Sequence, residues 1–152
     1  MLIDTHMHIG KVYLGERPLT PAYLLRFMDR VGIEKAILLP IESPEECHYY
    51  VTTDYVLGVC KRYPDRFLPA CNVDPRIGTG DNATQLRARL TEYRKRGCVA
   101  YGEAMTGLAI DDARLQIVYR VCGELGMPII YHIDGYRNLD EKGFPRFERM
   151  LQ

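Results

Sequence analysis

Leu2-Ile3-Asp4-Thr5-His6-Met7-His8 opens the chain and reads as a short strand. Side chains at i and i+2 leave a strand on the same face, so the imidazoles of His6 and His8 aim at one point. Two neutral ring nitrogens converging on a point suit a divalent transition metal, at about 2.0–2.1 Å for zinc. Such a pair also arises by chance. Its weight depends on what the remaining residues bring to the same place.

Working outward, the same kind of element recurs. Thr20-Pro21 reads as a helix start, with Thr as N-cap and Pro at the first helical position. Leu24, Phe27, Met28 and Val31 form its apolar stripe and Gly32 stops it. Lys35–Pro40 is a short continuous apolar run, the pattern of a strand buried on both faces. After a polar loop, a second helix runs from Thr52 or Thr53 to Tyr63, with stripe Val56, Val59, Cys60 and Tyr63. Phe67–Val73 is a third strand. Asp81 or Asn82 caps a third helix with stripe Leu86, Leu90 and Tyr93, ending at Gly97. Cys98–Glu103 is strand four. Asp111 caps a fourth helix with stripe Leu115, Val118, Tyr119, Cys122 and Leu125, closed by Gly126. Pro128–His132 is strand five, and a last helical piece starts near Pro145.

Strand starts near residues 2, 35, 67, 98 and 128 recur every 30–33 residues. Regular βα units of that length imply parallel strands joined by right-handed helical crossovers. Two architectures satisfy this: an open doubly wound sheet and a (β/α)8 barrel. No Gly-rich phosphate fingerprint follows strand one, which removes the main positive sign of a dinucleotide-binding sheet. A full barrel needs about 250 residues, whereas 152 residues hold about five units.

Composition narrows the class. Residues are 47% hydrophobic, enough to bury a core in a single domain spanning 1–152. Net charge is zero, so no overall field draws the chain to nucleic acid or an acidic membrane surface. The start lacks a basic region followed by a long apolar one, and no apolar run approaches the roughly 20 residues of a membrane span. A cytoplasmic protein with no membrane partner is expected. Cys47, Cys60, Cys71, Cys98 and Cys122 are odd in number and form no Cys-x-x-Cys, so reduced, buried thiols are expected.

The chain has four histidines: His6, His8, His48 and His132. His132 ends strand five on the face of Pro128 and Ile130. Glu103 ends strand four, where strict alternation puts it on the face of Val99 and Tyr101. In a parallel barrel all C-terminal strand ends lie at one mouth, where active sites sit. His6, His8, Glu103 and His132 would then meet there, although they span 126 residues of sequence.

Asp4-x-His6-x-His8, Glu103 and His132 together resemble the amidohydrolase superfamily, metal-dependent (β/α)8 barrels that are mostly hydrolases with some decarboxylases. Gly126-Met127-Pro128-Ile129-Ile130-Tyr131-His132 is similar to the fifth-strand entry of the carboxymuconate-semialdehyde-decarboxylase-like group. Tyr101-Gly102-Glu103 followed by Pro128 and His132 also resembles TatD-like nucleases, whose strand-four Glu bridges two metals. The resemblance implies a TIM-barrel-type α/β fold, here incomplete at about five βα units. It also implies hydrolysis of a small carbonyl-containing substrate by a metal-activated water. A related decarboxylase and a TatD-like phosphodiesterase are the enzyme alternatives, and a catalytically inactive, self-associating partial barrel is the other.

The same resemblance implies a divalent ion, zinc first and manganese or magnesium next, held by His6, His8 and His132. Glu103 would be a fourth ligand or a bridge to a second ion. Family members carry a further His ending strand six and an Asp ending strand eight that commonly serves as base. Neither has a counterpart in these residues, leaving Glu103 or Asp134 to stand in. Asp4 shares the parity of both histidines and is either an orienting partner of a ligand imidazole or a structural carboxylate.

Substrate contacts would come from the βα loops: Lys11, Tyr13 and Arg17 after strand one, His48 after strand two, Arg76 after strand three, Tyr136 and Arg137 after strand five. Each also reads as an ordinary loop residue. Arg87, Arg89, Arg94, Lys95 and Arg96 lie on helix three and read as its solvated outer face, so nucleic acid is not an expected partner. A partial barrel leaves strand edges and inner apolar faces uncovered, so a homo-oligomer is expected.

Overall fold

The computed structural model describes residues 1–11, 17–43, 50–78, 82–132 and Glu148. Its elements alternate: β1 (Ile3–His8), α1 (Pro21–Val31), β2 (Lys35–Leu39), α2 (Thr53–Arg62), β3 (Phe67–Cys71), α3 (Asn82–Lys95), β4 (Ala100–Ala104), α4 (Ala113–Glu124) and β5 (Ile129–Tyr131). All neighbouring strands pair in parallel. The sheet order is β1-β2-β3-β4-β5. That order decides between the two architectures. A doubly wound sheet reverses its strand order at a switch point, whereas here each strand adds beside the one before it.

The packing agrees. Met7, Ile9, Ala36, Leu38 and Phe67 bury against Leu24 and Met28 of α1 and Val56, Val59 and Cys60 of α2. Cys71, Tyr101 and Ala104 bury against Leu86, Leu90 and Tyr93 of α3 and Val118, Val121 and Cys122 of α4. Leu39, Ala70 and Ala100 form a separate cluster that contains no helical residue, with Ile37, Val99 and Ile130 against it. The described helices therefore cover one sheet face, as in the wall of a TIM barrel. The described residues form an α/β half-barrel of five parallel strands.

Local chemistry explains the element ends. Thr20 Oγ1 accepts from the Tyr23 amide at 3.2 Å ahead of Pro21, and Gly32 closes α1 in the left-handed conformation, φ 78°. Thr52 rather than Thr53 caps α2, accepting from the Tyr55 amide at 3.1 Å. Asp112, not Asp111, caps α4: it accepts from the Arg114 amide at 2.9 Å and pairs with the Arg114 guanidinium at 2.8–2.9 Å. That carboxylate lies near pKa 2 because of the Arg114 hydrogen bond.

The apolar stripes need small corrections. Val31 is exposed in the last turn of α1, and Val121 is buried in α4 where Tyr119 and Leu125 are half-buried. Asp81 and most of the expected helix from Pro145 lie outside the described residues. The described cysteines, Cys60, Cys71, Cys98 and Cys122, are free and buried. Burial pushes the Cys60 and Cys122 thiols up to about 12. No described helix is long and apolar enough to cross a membrane.

Candidate metal centre

Four side chains meet at the C-terminal end of the sheet. The Nε2 atoms of His6 and His8 lie 3.4 and 3.1 Å from Glu103 Oε2, and Nδ1 of His132 lies 2.6 Å from Glu103 Oε1. The His6 and His8 rings stand 5.2 Å apart at 77° to one another. Glu103 is the hub, and its side chain is only 4% exposed.

The backbone reaches this arrangement through two irregularities. Along β1 and β2 the pairing steps from Asp4↔Ala36 to Met7↔Leu38, three residues against two. The extra residue breaks alternation, so Asp4 falls on the side of Ala36 while both histidines face Glu103. The expected shared parity of Asp4 with the histidines is thereby lost. Asp4 Oδ1 instead accepts from the backbone N–H of His6 at 2.8 Å, a turn-like bond that holds the bulge under the first histidine.

Along β4 and β5 the pairing steps from Tyr101↔Ile129 to Ala104↔Tyr131, again three against two. Tyr101 therefore packs among the α3 and α4 side chains, and Glu103 turns to the other face to meet the histidines. Strict alternation had placed both on one face; the bulge separates them. Gly102 makes this possible. Its φ is +143°, and a Cβ there would stand 2.5 Å from the Ile130 carbonyl oxygen. A glycine inside a strand pattern is the signal by which such a bulge can be anticipated. The next backbone bond, His132 N–H to Ala104 O at 3.1 Å, carries the ladder one residue past β5 and sets His132 beside Glu103.

Electrostatics follow from burial and partners. Burial alone would raise the Glu103 pKa, but hydrogen bonds from His8 and His132, with the charges of His8 and His6, outweigh it and hold the carboxyl at about 2. The group is thus an anion near neutrality. The ligand atoms of His6, His8 and Glu103 all lie within 4.8 Å of one another. Tetrahedral ligands on bonds of about 2.1 Å sit about 3.4 Å apart, close to the two histidine–carboxylate separations. Two imidazoles and one carboxylate form a donor set suited to zinc or manganese. Nδ1 of His8 is buried without a hydrogen-bond partner, so Nε2 is the ring atom committed to the cluster. The residues fit a divalent ion. His132 joins the trio through the carboxylate, at a hydrogen-bonding distance.

Asn72, just past β3, is a buried member that sequence reasoning missed. Its Nδ2 donates to the Glu103 carbonyl at 2.5 Å. An asparagine inside the run Cys71-Asn72-Val73 at a strand end was the available sign. Among the expected substrate contacts, Lys11 and Arg17 are exposed. Arg76 bonds Asp74 through its amide and guanidinium at 2.7–2.9 Å. Tyr13, His48, Asp134, Tyr136 and Arg137 lie outside the described residues. On α3, Arg87 pairs with Glu124, Arg96 with Asp54 and Arg89 with Glu92, so much of that basic face is neutralised. A cavity of about 600 Å³ lined by Asp54, Lys61, Phe67 and Arg96 opens at the opposite, N-terminal end of β3.

No protein-family model matches the sequence, and no curated protein matches it. Solved structures do. An uncharacterised TIM-barrel protein from Bordetella bronchiseptica superimposes with TM-score 0.73 at 21% identity, over 99% of this chain and 62% of that one. A probable 2-pyrone-4,6-dicarboxylic acid hydrolase from Acinetobacter baumannii, with citric acid bound, gives 0.62 at 15% identity, over 97% and 54%. The 5-carboxyvanillate decarboxylase of Novosphingobium aromaticivorans, with bound manganese, gives 0.55 at 22% identity, over 88% and 40%. These likenesses establish the fold as part of a TIM barrel. The chain spans about half to three-fifths of the length of the first two.

Proposed function

We propose that the chain carries part of a metal-dependent active site of the amidohydrolase superfamily, acting on a small carboxylate-bearing or carbonyl-containing substrate. One observation carries this: His6 and His8 of β1, Glu103 of β4 and His132 after β5 converge at the C-terminal mouth of a barrel wall. His6, His8, Glu103 and His132 would hold the ion, zinc or manganese. When bound, such an ion polarises a carbonyl oxygen and brings the pKa of water on it toward about 7.

The protein's own groups have separable tasks. Glu103, held at a pKa of about 2, is a poor proton acceptor near neutrality and serves as an anionic anchor. Because the ionised carboxylate accepts from Nδ1 of His132, that ring carries its proton on Nδ1. Nε2 keeps the lone pair, for a metal or a proton. That leaves Asp134, of the two candidates, as the proposed base. Lys11, Arg17 and Arg76 are the described cations proposed to meet substrate carboxylates.

Hydrolysis and decarboxylation are both supported. The structures that resemble this chain include the hydrolase and decarboxylase above and a 2,6-dihydroxybenzoate decarboxylase from Rhizobium, with TM-score 0.56 at 18% identity over 97% of this chain. Metal analysis tests the site: a divalent ion is expected in the wild-type chain, lost in His6→Ala and His132→Ala and kept in His48→Ala. No ion bound under saturating zinc or manganese overturns the proposal. Turnover of simple lactones, release of carbon dioxide from hydroxybenzoates, or cleavage of single-stranded DNA then separates the hydrolase, decarboxylase and nuclease readings.

A further inference from the structure

We infer that Asn72 is a positioning residue for Glu103, the end of a buried polar chain that crosses three βα units to aim the carboxylate at the histidines. This rests on the proposed role of Glu103. The bulge takes Glu103 out of the regular alternation of β4, so the direction of its side chain depends on how its own peptide is held. The Glu103 carbonyl accepts from Asn72 Nδ2 at 2.5 Å. Asn72 is 3% exposed, and its placement is itself fixed. Its backbone N–H donates to Thr53 Oγ1 at 3.0 Å, and the Thr53 hydroxyl donates to the Asn72 carbonyl at 3.3 Å. Thr53 is fully buried at the start of α2, and its backbone N–H donates to the Glu42 carboxylate.

Each link uses a different donor or acceptor. It runs from Glu42 after β2, through Thr53 and Asn72, to Glu103 and from there to His8 and His132. A satisfied buried amide also contributes to stability alone, which any core residue does. Positioning makes a further demand: that Nδ2 governs the contacts of Glu103 with the rings. Thr53 reaches Asn72 through the Asn72 backbone N–H and carbonyl, not through its side chain. Asn72→Ala therefore removes the bond to Glu103 and leaves the Thr53 pair in place.

The test uses the full chain without metal. In the wild type, histidine-ring nitrogen NMR is expected to show His132 with its proton on Nδ1, bonded to Glu103. Asn72→Ala should lose that signature, and cobalt titration should show ion affinity falling about 10–100-fold. Val118→Ala, a core truncation that removes no member of the polar chain, should lose stability and keep both. If Asn72→Ala does not fold, Asn72→Asp retains the volume while replacing the donor with an acceptor, and the same readouts apply. An unchanged His132 signature in the folded variant overturns the inference, as does an equal loss in Val118→Ala. A wild type that binds no ion counts against the proposed function alone, because the ring signature is read without metal.

Discussion

Glu103→Gln isolates the charge at the hub of the cluster. The substitution keeps the shape of a side chain that is 4% exposed and removes the anion that accepts from two imidazoles. The fall of its pKa from 4.5 to about 2 corresponds to about 3 kcal/mol of preference for the ionised form in the folded state. A glutamine oxygen recovers one hydrogen bond, so a loss of about 2–3 kcal/mol is expected at neutral pH. The sign follows from the direction of the shift. A carboxyl depressed in the folded state contributes fully above its unfolded pKa, and the contribution is lost as pH falls through the folded value. The stability gap between wild type and Glu103→Gln should therefore be full at pH 6–7 and shrink between about pH 4.5 and 2. Urea unfolding in chelator, at a series of pH values, reads this directly. A gap that does not change with pH, or a variant as stable as the wild type at pH 7, would refute the electrostatic account of the site.

Three more outcomes follow from particular contacts. Gly102→Ala would place a Cβ 2.5 Å from the Ile130 carbonyl oxygen at φ +143°, so a loss of about 2–3 kcal/mol together with loss of bound metal is expected. Thermal unfolding and metal analysis check it, and an ion-loaded variant of normal stability would count against the bulge. Asp112→Ala removes the α4 cap and should cost about 1 kcal/mol with ion affinity unchanged, since the Asp112 side chain bonds only Arg114 in the described contacts. Calorimetry and cobalt titration, run in parallel, decide between a cap and a site residue. Finally, β1 and β5 end the described sheet without a further strand partner, so the chain is expected to self-associate. Light scattering at micromolar concentration tests this, and a monodisperse monomer is the contrary result.

The site was partly visible in the residues and partly hidden, for identifiable reasons. His6 and His8 share a face because two-residue spacing survives at the C-terminal end of β1, and His132 was legible as the end of an apolar run. Glu103 was identified at the right strand end for the wrong geometric reason. Alternation paired it with Tyr101, and only the three-against-two pairing across β4 and β5 turns it to the histidines. Asp4 shows the same effect in reverse. Its even spacing pointed to the site, and the β1 bulge turned its carboxylate to the backbone of His6.

The sequence by itself determined the local and periodic features. These are the βα repeat, the Thr20 cap, the Leu86, Leu90 and Tyr93 stripe and the histidine pair. Each depends on residues within a turn or two of one another, where propensity and spacing act directly. Tertiary structure decided the sequential strand order, the common face of the helices, the two bulges and the Glu42-Thr53-Asn72-Glu103 chain. Those depend on which backbone groups meet across strands tens of residues apart. Pairing register, and not composition, selects the partner there.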